Sequence, residues 1–237
     1  MVAPHDVLEQ KVGQFLPKDA ALREMMKKSY DILKNHPLNA LRRRQGKNPA
    51  NSCWFWGAGT RPALASFEEK THKKGAMISD VDLLKGIAVG ASMKVILVEG
   101  ANGGLYTNYE GKARAAVDVL TNGGCDFVYV HLEGPDEMGH QGSLERKILA
   151  IEKLDAKIIR PIADGLKAAG EDFRMLILPD HPTPLRIRSH TGESVPYLLY
   201  DSTDIQHHDW KYNEEEAGRS GNYVAEGHTL IDRLLSK

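Results

Sequence analysis

The chain has 237 residues, a formal net charge of −1 and no strongly basic block, so neither nucleic acid nor an anionic membrane is an expected partner. Apolar residues make up 41% and charged residues 27%, ordinary values for a soluble globular fold with a sizeable core. No signal peptide is expected from the opening residues, and no apolar run nears the ~18 residues of a membrane span. The two cysteines, Cys53 and Cys125, lie beside apolar segments as buried thiols, and a cytoplasmic location is expected.

The opening residues 1–6 are polar and turn-like, where layered α/β domains commonly begin with a strand. Behind Lys18 or Asp19, residues Leu22, Met25, Met26, Tyr30, Ile32 and Leu33 recur at helical spacing and predict a helix over 17–35. HPLNALRRRQGKNPAN (36–51) reads as a basic connector. Its Arg42–Arg44 run has the chemistry of a phosphate clamp, but a solvated charge run is the simpler role. Ser52–Trp56 is apolar and aromatic, an expected strand ending in the Gly-rich turn 57–60. A strand at Ala76–Ser79 leads to a short helix over 82–88. That helix carries Lys85, a surface lysine or a point charge for a phosphate. Lys94–Val98 is a buried strand, 99–107 a Gly-rich loop, and 108–122 a helix through Ala113, Ala116, Val117 and Leu120.

The chemistry gathers in the second half. The strand Asp126–Val130 runs into HLEGPDEMGHQGS (131–143), and a long amphipathic helix over 144–169 follows. Glu133, Asp136, Glu137 and His140 crowd this stretch, broken by Gly134, Pro135 and Gly139. Asp136 and His140 are four apart, so on a helical turn they share a face and can grip one ion. Alone, such a pair is more often a solvated helix start with its acid at the positive dipole end. A second cluster answers it: the strand MLILP (175–179) ends in Asp180-His181, and His190 follows. Two strand ends that each deliver Asp and His fit a metal centre at the carboxyl edge of a parallel sheet, the usual place for chemistry in open α/β folds. Mixed carboxylate and imidazole donors suit Mn²⁺ or Zn²⁺, with Mg²⁺ less favoured by nitrogen. Residues 195–200 form a further strand, His207 and His208 fall in a polar loop with the acidic run 214–216, and 227–235 is a closing helix. Strand and helix alternate throughout, which predicts an α/β fold with a largely parallel sheet and helices on both faces.

PHDVL (4–8), WFWGAG (54–59), TNYEGKA (107–113), HLEGPDEMGH (131–140) and PDHPTP (179–184) resemble, in order, the archaeal-type branch of cofactor-independent phosphoglycerate mutase, within the alkaline phosphatase superfamily. The resemblance covers nearly the whole chain. It implies one alkaline-phosphatase-like domain over 1–237 and interconversion of 3-phosphoglycerate and 2-phosphoglycerate through a phosphoserine, with two divalent metal ions. Carried over by motif, Asp136, His140 and His190 hold one ion and Asp180 and His181 hold the other; Lys85 is the candidate contact for the small phosphorylated substrate, although a surface lysine is its simpler role. The family's opening Asp-Gly ligand, its serine nucleophile and its insert domain have no match. The only Asp-Gly pair is Asp164-Gly165 inside the long helix, and Ser79 lies in a region the family places after its nucleophile. The expectation is a C-terminal piece of a longer enzyme, inactive alone. Two other functions stay open: a metal-dependent phosphomonoesterase or other hydrolase of the same superfamily, and a non-catalytic metal-binding piece.

Overall fold

The structure, a computed structural model, describes residues 2–236 and divides into two units, one up to Arg61 and one from Pro62 onward. Among the described residues the first unit holds two short 3-10 turns, Pro4–Val7 and Val12–Phe15, and two α-helices, α1 (Ala20–Lys34) and α2 (Pro37–Arg44). Asp19 caps α1 by accepting from the Leu22 N–H at 2.9 Å. The second helix corrects the connector expected over 36–51. Pro37 stands at its first turn, where a missing N–H costs nothing, and Arg42–Arg44 fill its last turn, where the dipole favours cations. The strand expected at 53–56 is also absent. Side-chain bonds hold that stretch to α1 instead: Cys53 N–H donates to Ser29 Oγ at 2.9 Å, and Ser52 Oγ donates to the Met26 carbonyl at 3.2 Å. No strand of this unit is available, among the described residues, to pair with it.

The second unit opens with α3 (Phe67–Thr71), β1 (Gly75–Ile78), α4 (Asp82–Gly90) and β2 (Lys94–Ile96). Next come α5 (Tyr109–Thr121), β3 (Phe127–Val130) and α6 (Gly134–His140). All four residues of β1 are buried, as in a strand covered on both faces. It is the middle strand of a parallel sheet ordered β2-β1-β3. Helix α4 packs on β1 and β2, and α5 on β1 and β3. The core joins Ile78 of β1 to Tyr109, Ala113 and Ala116 of α5 and to Ile158, Ile162 and Leu166 further on.

The long helix expected over 144–169 runs as α7 (Leu144–Leu154), a π-turn (Asp155–Ile159) and α8 (Arg160–Ala168). Pro161 lacks the N–H that a continuous α-helix needs there, and the wider turn precedes it. Then β4 (Arg174–Ile177) pairs antiparallel with β5 (Leu198–Asp201) as a separate two-stranded sheet. The strand expected from 195 begins later because Pro196 cannot donate to a ladder. In the two sheets β3 and β4 are both terminal strands, and Leu198 and Leu199 of β5 are exposed. Helices α9 (Glu214–Arg219), in the expected polar loop, and α10 (Leu230–Leu235) close the chain.

A cross-strand pair fastens β4 to β5. Asp201 accepts from Thr203 Oγ1 at 2.7 Å and from Arg174 Nε at 2.5 Å. The Thr203 hydroxyl first, then the Arg174 guanidinium, lowers the Asp201 carboxyl to about 2. A folded pKa below the unfolded value gives stabilisation that is present above about pH 4 and lost as pH falls through about 2. Urea midpoints of the parent chain and Asp201→Asn should therefore differ at pH 6 and converge toward pH 2. A constant difference across that range would contradict the assignment.

Candidate metal centre

The site forms where the turn after β3 meets the turn after β4. Pro135 stands in the first turn of α6, and Asp136 and His140 stand one helical turn apart on it. His190 comes in on the loop between β4 and β5. One donor atom from each of the three lies within 4.8 Å of the others. The individual separations are 3.1 Å for His140 Nε2 to His190 Nε2, 3.2 Å for His140 Nε2 to Asp136 Oδ2, and 3.3 Å for His190 Nε2 to Asp136 Oδ1. A tetrahedral ion with bonds near 2.1 Å spaces its donors about 3.4 Å apart, so the three fit one small divalent ion.

The surroundings orient these donors. His140 Nδ1 lies 2.9 Å from the Arg188 carbonyl. A carbonyl only accepts, so Nδ1 is the donor there, and Nε2 is the ring nitrogen left facing the cluster. Thr183 is buried, and its hydroxyl donates to Asp136 Oδ1 at 2.5 Å. Lys147 Nζ donates to the Thr183 carbonyl at 2.6 Å, and burial lowers its pKa despite the pull of Asp136. Gly139 is what lets this loop lie against α6: a Cβ there would meet the Thr183 carbonyl oxygen at 2.7 Å and Thr183 Cγ2 at 2.8 Å. Gly139→Ala should thus cost about 1–3 kcal/mol as overpacking. It should lower the melting temperature by several degrees, and an unchanged melting curve would show that the loop gives way freely.

Asp180 and His181 stand beside the cluster rather than in it. The His181 ring stacks on that of His190 with centroids 3.7 Å apart, and His181 Nδ1 is 3.4 Å from Thr183 Oγ1. Asp180 Oδ2 is 3.4 Å from His181 Nε2, and its other oxygen accepts from the His181 N–H at 3.1 Å. These two therefore offer a second ion a carboxylate and an imidazole. Lys85 lies elsewhere, paired with Asp82 at 2.7 Å on the wall of a cavity of about 430 Å³ shared with Ser79, Asp80 and Asn102.

The sequence motifs contain His131, Glu133 and Lys112, but not the environments the fold gives them. Burial is the main influence that lowers the His131 pKa, with Asp180 pulling it up. Burial also raises the Glu133 carboxyl, helped by Glu137, Asp136 and Asp80. Lys112 is fully buried and pairs with Asp80. Its position did carry a signal: it lies on the apolar stripe of α5, three residues from Tyr109 and four from Ala116.

Residues 18–234 match the family model described as Metalloenzyme superfamily. The chain belongs to that superfamily. Within it, the chain is 45% identical over 237 residues to a 2,3-bisphosphoglycerate-independent phosphoglycerate mutase of Methanosarcina barkeri, covering 98% of this chain and 59% of that protein. A probable enzyme of the same name from Geobacter sulfurreducens is 44% identical, with 100% of this chain and 60% of that protein covered. Among solved structures, a Pyrococcus horikoshii protein is similar at 33% identity and a TM-score of 0.71, over 91% of this chain and 55% of the other. The cofactor-independent phosphoglycerate mutase of Thermoplasma acidophilum is similar at 26% identity and a TM-score of 0.52, over 93% and 55%. The chain thus spans about 60% of the length of the curated relatives it matches. The parallel sheet with its flanking helices agrees with the fold of these superfamily members, and no described helix is long and apolar enough to cross a membrane.

Proposed function

We propose that this chain acts in a cofactor-independent phosphoglycerate mutase, interconverting 3-phosphoglycerate and 2-phosphoglycerate in the cytoplasm as a step of glycolysis and gluconeogenesis. The observation that carries the reading is the convergence of Asp136, His140 and His190 donor atoms within 4.8 Å, in a chain whose relatives bear that enzyme's name. Asp136, His140 and His190 would hold one divalent ion, and Asp180 and His181 would contribute to a second. Manganese or zinc suits this donor set best. When bound, such ions offset the negative charge that gathers on a transferring phosphoryl group.

The chain's own residues supply orientation. The Arg188 carbonyl sets the His140 tautomer, and the Thr183 hydroxyl holds the Asp136 carboxylate in place. Lys85, on the wall of the cavity it shares with Ser79, Asp80 and Asn102, would provide a point charge for a substrate phosphate. The test is a paired assay on protein purified from its source, following 2-phosphoglycerate by enolase coupling and inorganic phosphate by release. Isomerisation with little released phosphate supports the proposal. Phosphate as the main product would replace it with a hydrolase of the same superfamily.

A further inference from the structure

Lys112 is the largest fully buried side chain of the described residues, at 1% exposure, and its neighbours on α5 include the core residues Tyr109, Ala113 and Ala116. An ammonium is not left in such a place without partners, because its desolvation cost is large. The partners sit at two strand ends. Lys112 Nζ donates to the carboxylate of Asp80, two residues past β1, and to the carbonyl oxygen of His131, the first residue past β3, at 3.2 Å. The His131 N–H meanwhile donates to the Ile78 carbonyl of β1 at 2.9 Å. His131 is thus gripped on both sides of its peptide. From it the chain needs only five residues to reach Asp136, on a helix that begins at Gly134.

We propose that Lys112 is a positioning residue of the metal centre: its ammonium ties the Asp80 carboxylate to the His131 carbonyl and so fixes the turn that presents Asp136. This inference rests on the metal-centre reading above. A second observation agrees with it. Burial first, then Glu137, Asp136 and Asp80, pushes the Glu133 carboxyl upward, and Lys112 is the cation that acts against them. An acid-rich turn is easier to hold in one shape with a buried positive charge beneath it.

The experiment uses the full chain, with Mn²⁺ titrated by calorimetry and metal-free melting curves recorded alongside. Lys112→Met should bind Mn²⁺ about 10- to 100-fold more weakly, the usual effect of losing an orienting partner. It should also melt earlier, because Asp80 is left without its cation. The double variant Lys112→Met with Asp80→Leu separates the two roles. Replacing both members of a buried pair by apolar groups often restores stability, so its melting temperature should return toward the parent's while Mn²⁺ affinity stays reduced. Affinity that returns together with stability would make Lys112 a structural residue only and would overturn the proposal. So would parental affinity in Lys112→Met, or failure of both variants to fold. A parent chain that binds no Mn²⁺ would instead overturn the metal-centre reading, and this inference with it.

Discussion

The 237-residue chain, purified alone and given Mn²⁺, should bind the ion and yet show no measurable phosphoglycerate mutase turnover. The two outcomes separate because they depend on different residues. Binding needs Asp136, His140 and His190, which already stand at ligand spacing. A phosphoryl-enzyme route also needs a nucleophile and a second ion held close enough to activate it. For that ion the proposed ligands among the described residues are just Asp180 and His181, which stand side by side. Loss of a nucleophile costs on the order of a millionfold in rate, below the floor of an enolase-coupled assay. The comparison is a protein in which these residues are joined to the portion that the Methanosarcina barkeri relative has beyond the matched region. Turnover by the joined protein alone is the expected result. Comparable turnover by the 237 residues would mean that a hydroxyl in this chain, such as that of Thr183 or Ser189, serves as the phosphoryl acceptor.

Asp136→Asn should abolish tight metal binding while leaving the fold in place. Asp136 is the hub of the cluster, since its two oxygens face His140 and His190 separately and one of them also accepts from Thr183. Asparagine keeps the shape and can still accept the Thr183 hydroxyl, so the metal-free chain should melt close to the parent. What it lacks is the anionic charge that a hard divalent ion requires. The expected loss in Mn²⁺ affinity is at least about 100-fold, beyond that for an orienting partner. Linkage gives a second readout. An ion at 100 times its dissociation constant stabilises the parent by about 2.7 kcal/mol, and this gain should vanish in Asp136→Asn. A variant that still gains stability from Mn²⁺ would place the ion elsewhere.

What the sequence disclosed follows from how local each signal is. The strands β1 to β4 are legible because each is a short apolar run bounded by turn residues. The Asp136–His140 pair is legible because both residues lie on one helical turn. Ser52–Trp56 has the same apolar look as a strand, but what decides its state is whether a neighbouring strand exists to pair with it. The direction of β5 against β4 was likewise hidden, since an apolar strand reads the same way in either orientation. The Thr183–Asp136 and Lys112–Asp80 pairs span 47 and 32 residues. Nothing local to Thr183 announces its partner. Lys112 could be suspected from its place on an apolar stripe, but not what it would bind.

Leu198 and Leu199 carry a consequence for handling the protein. Successive residues of a strand point to opposite faces, and both are exposed. Among the described residues the terminal strand β5 pairs only with β4, so it offers a greasy side chain on each face as well as a free backbone edge. Such a strand is a template for aggregation between copies. Light scattering from the isolated chain should climb with concentration and with warming, and a single charge at Leu199→Lys should suppress it. Stocks kept dilute and cold should stay clear when concentrated ones cloud.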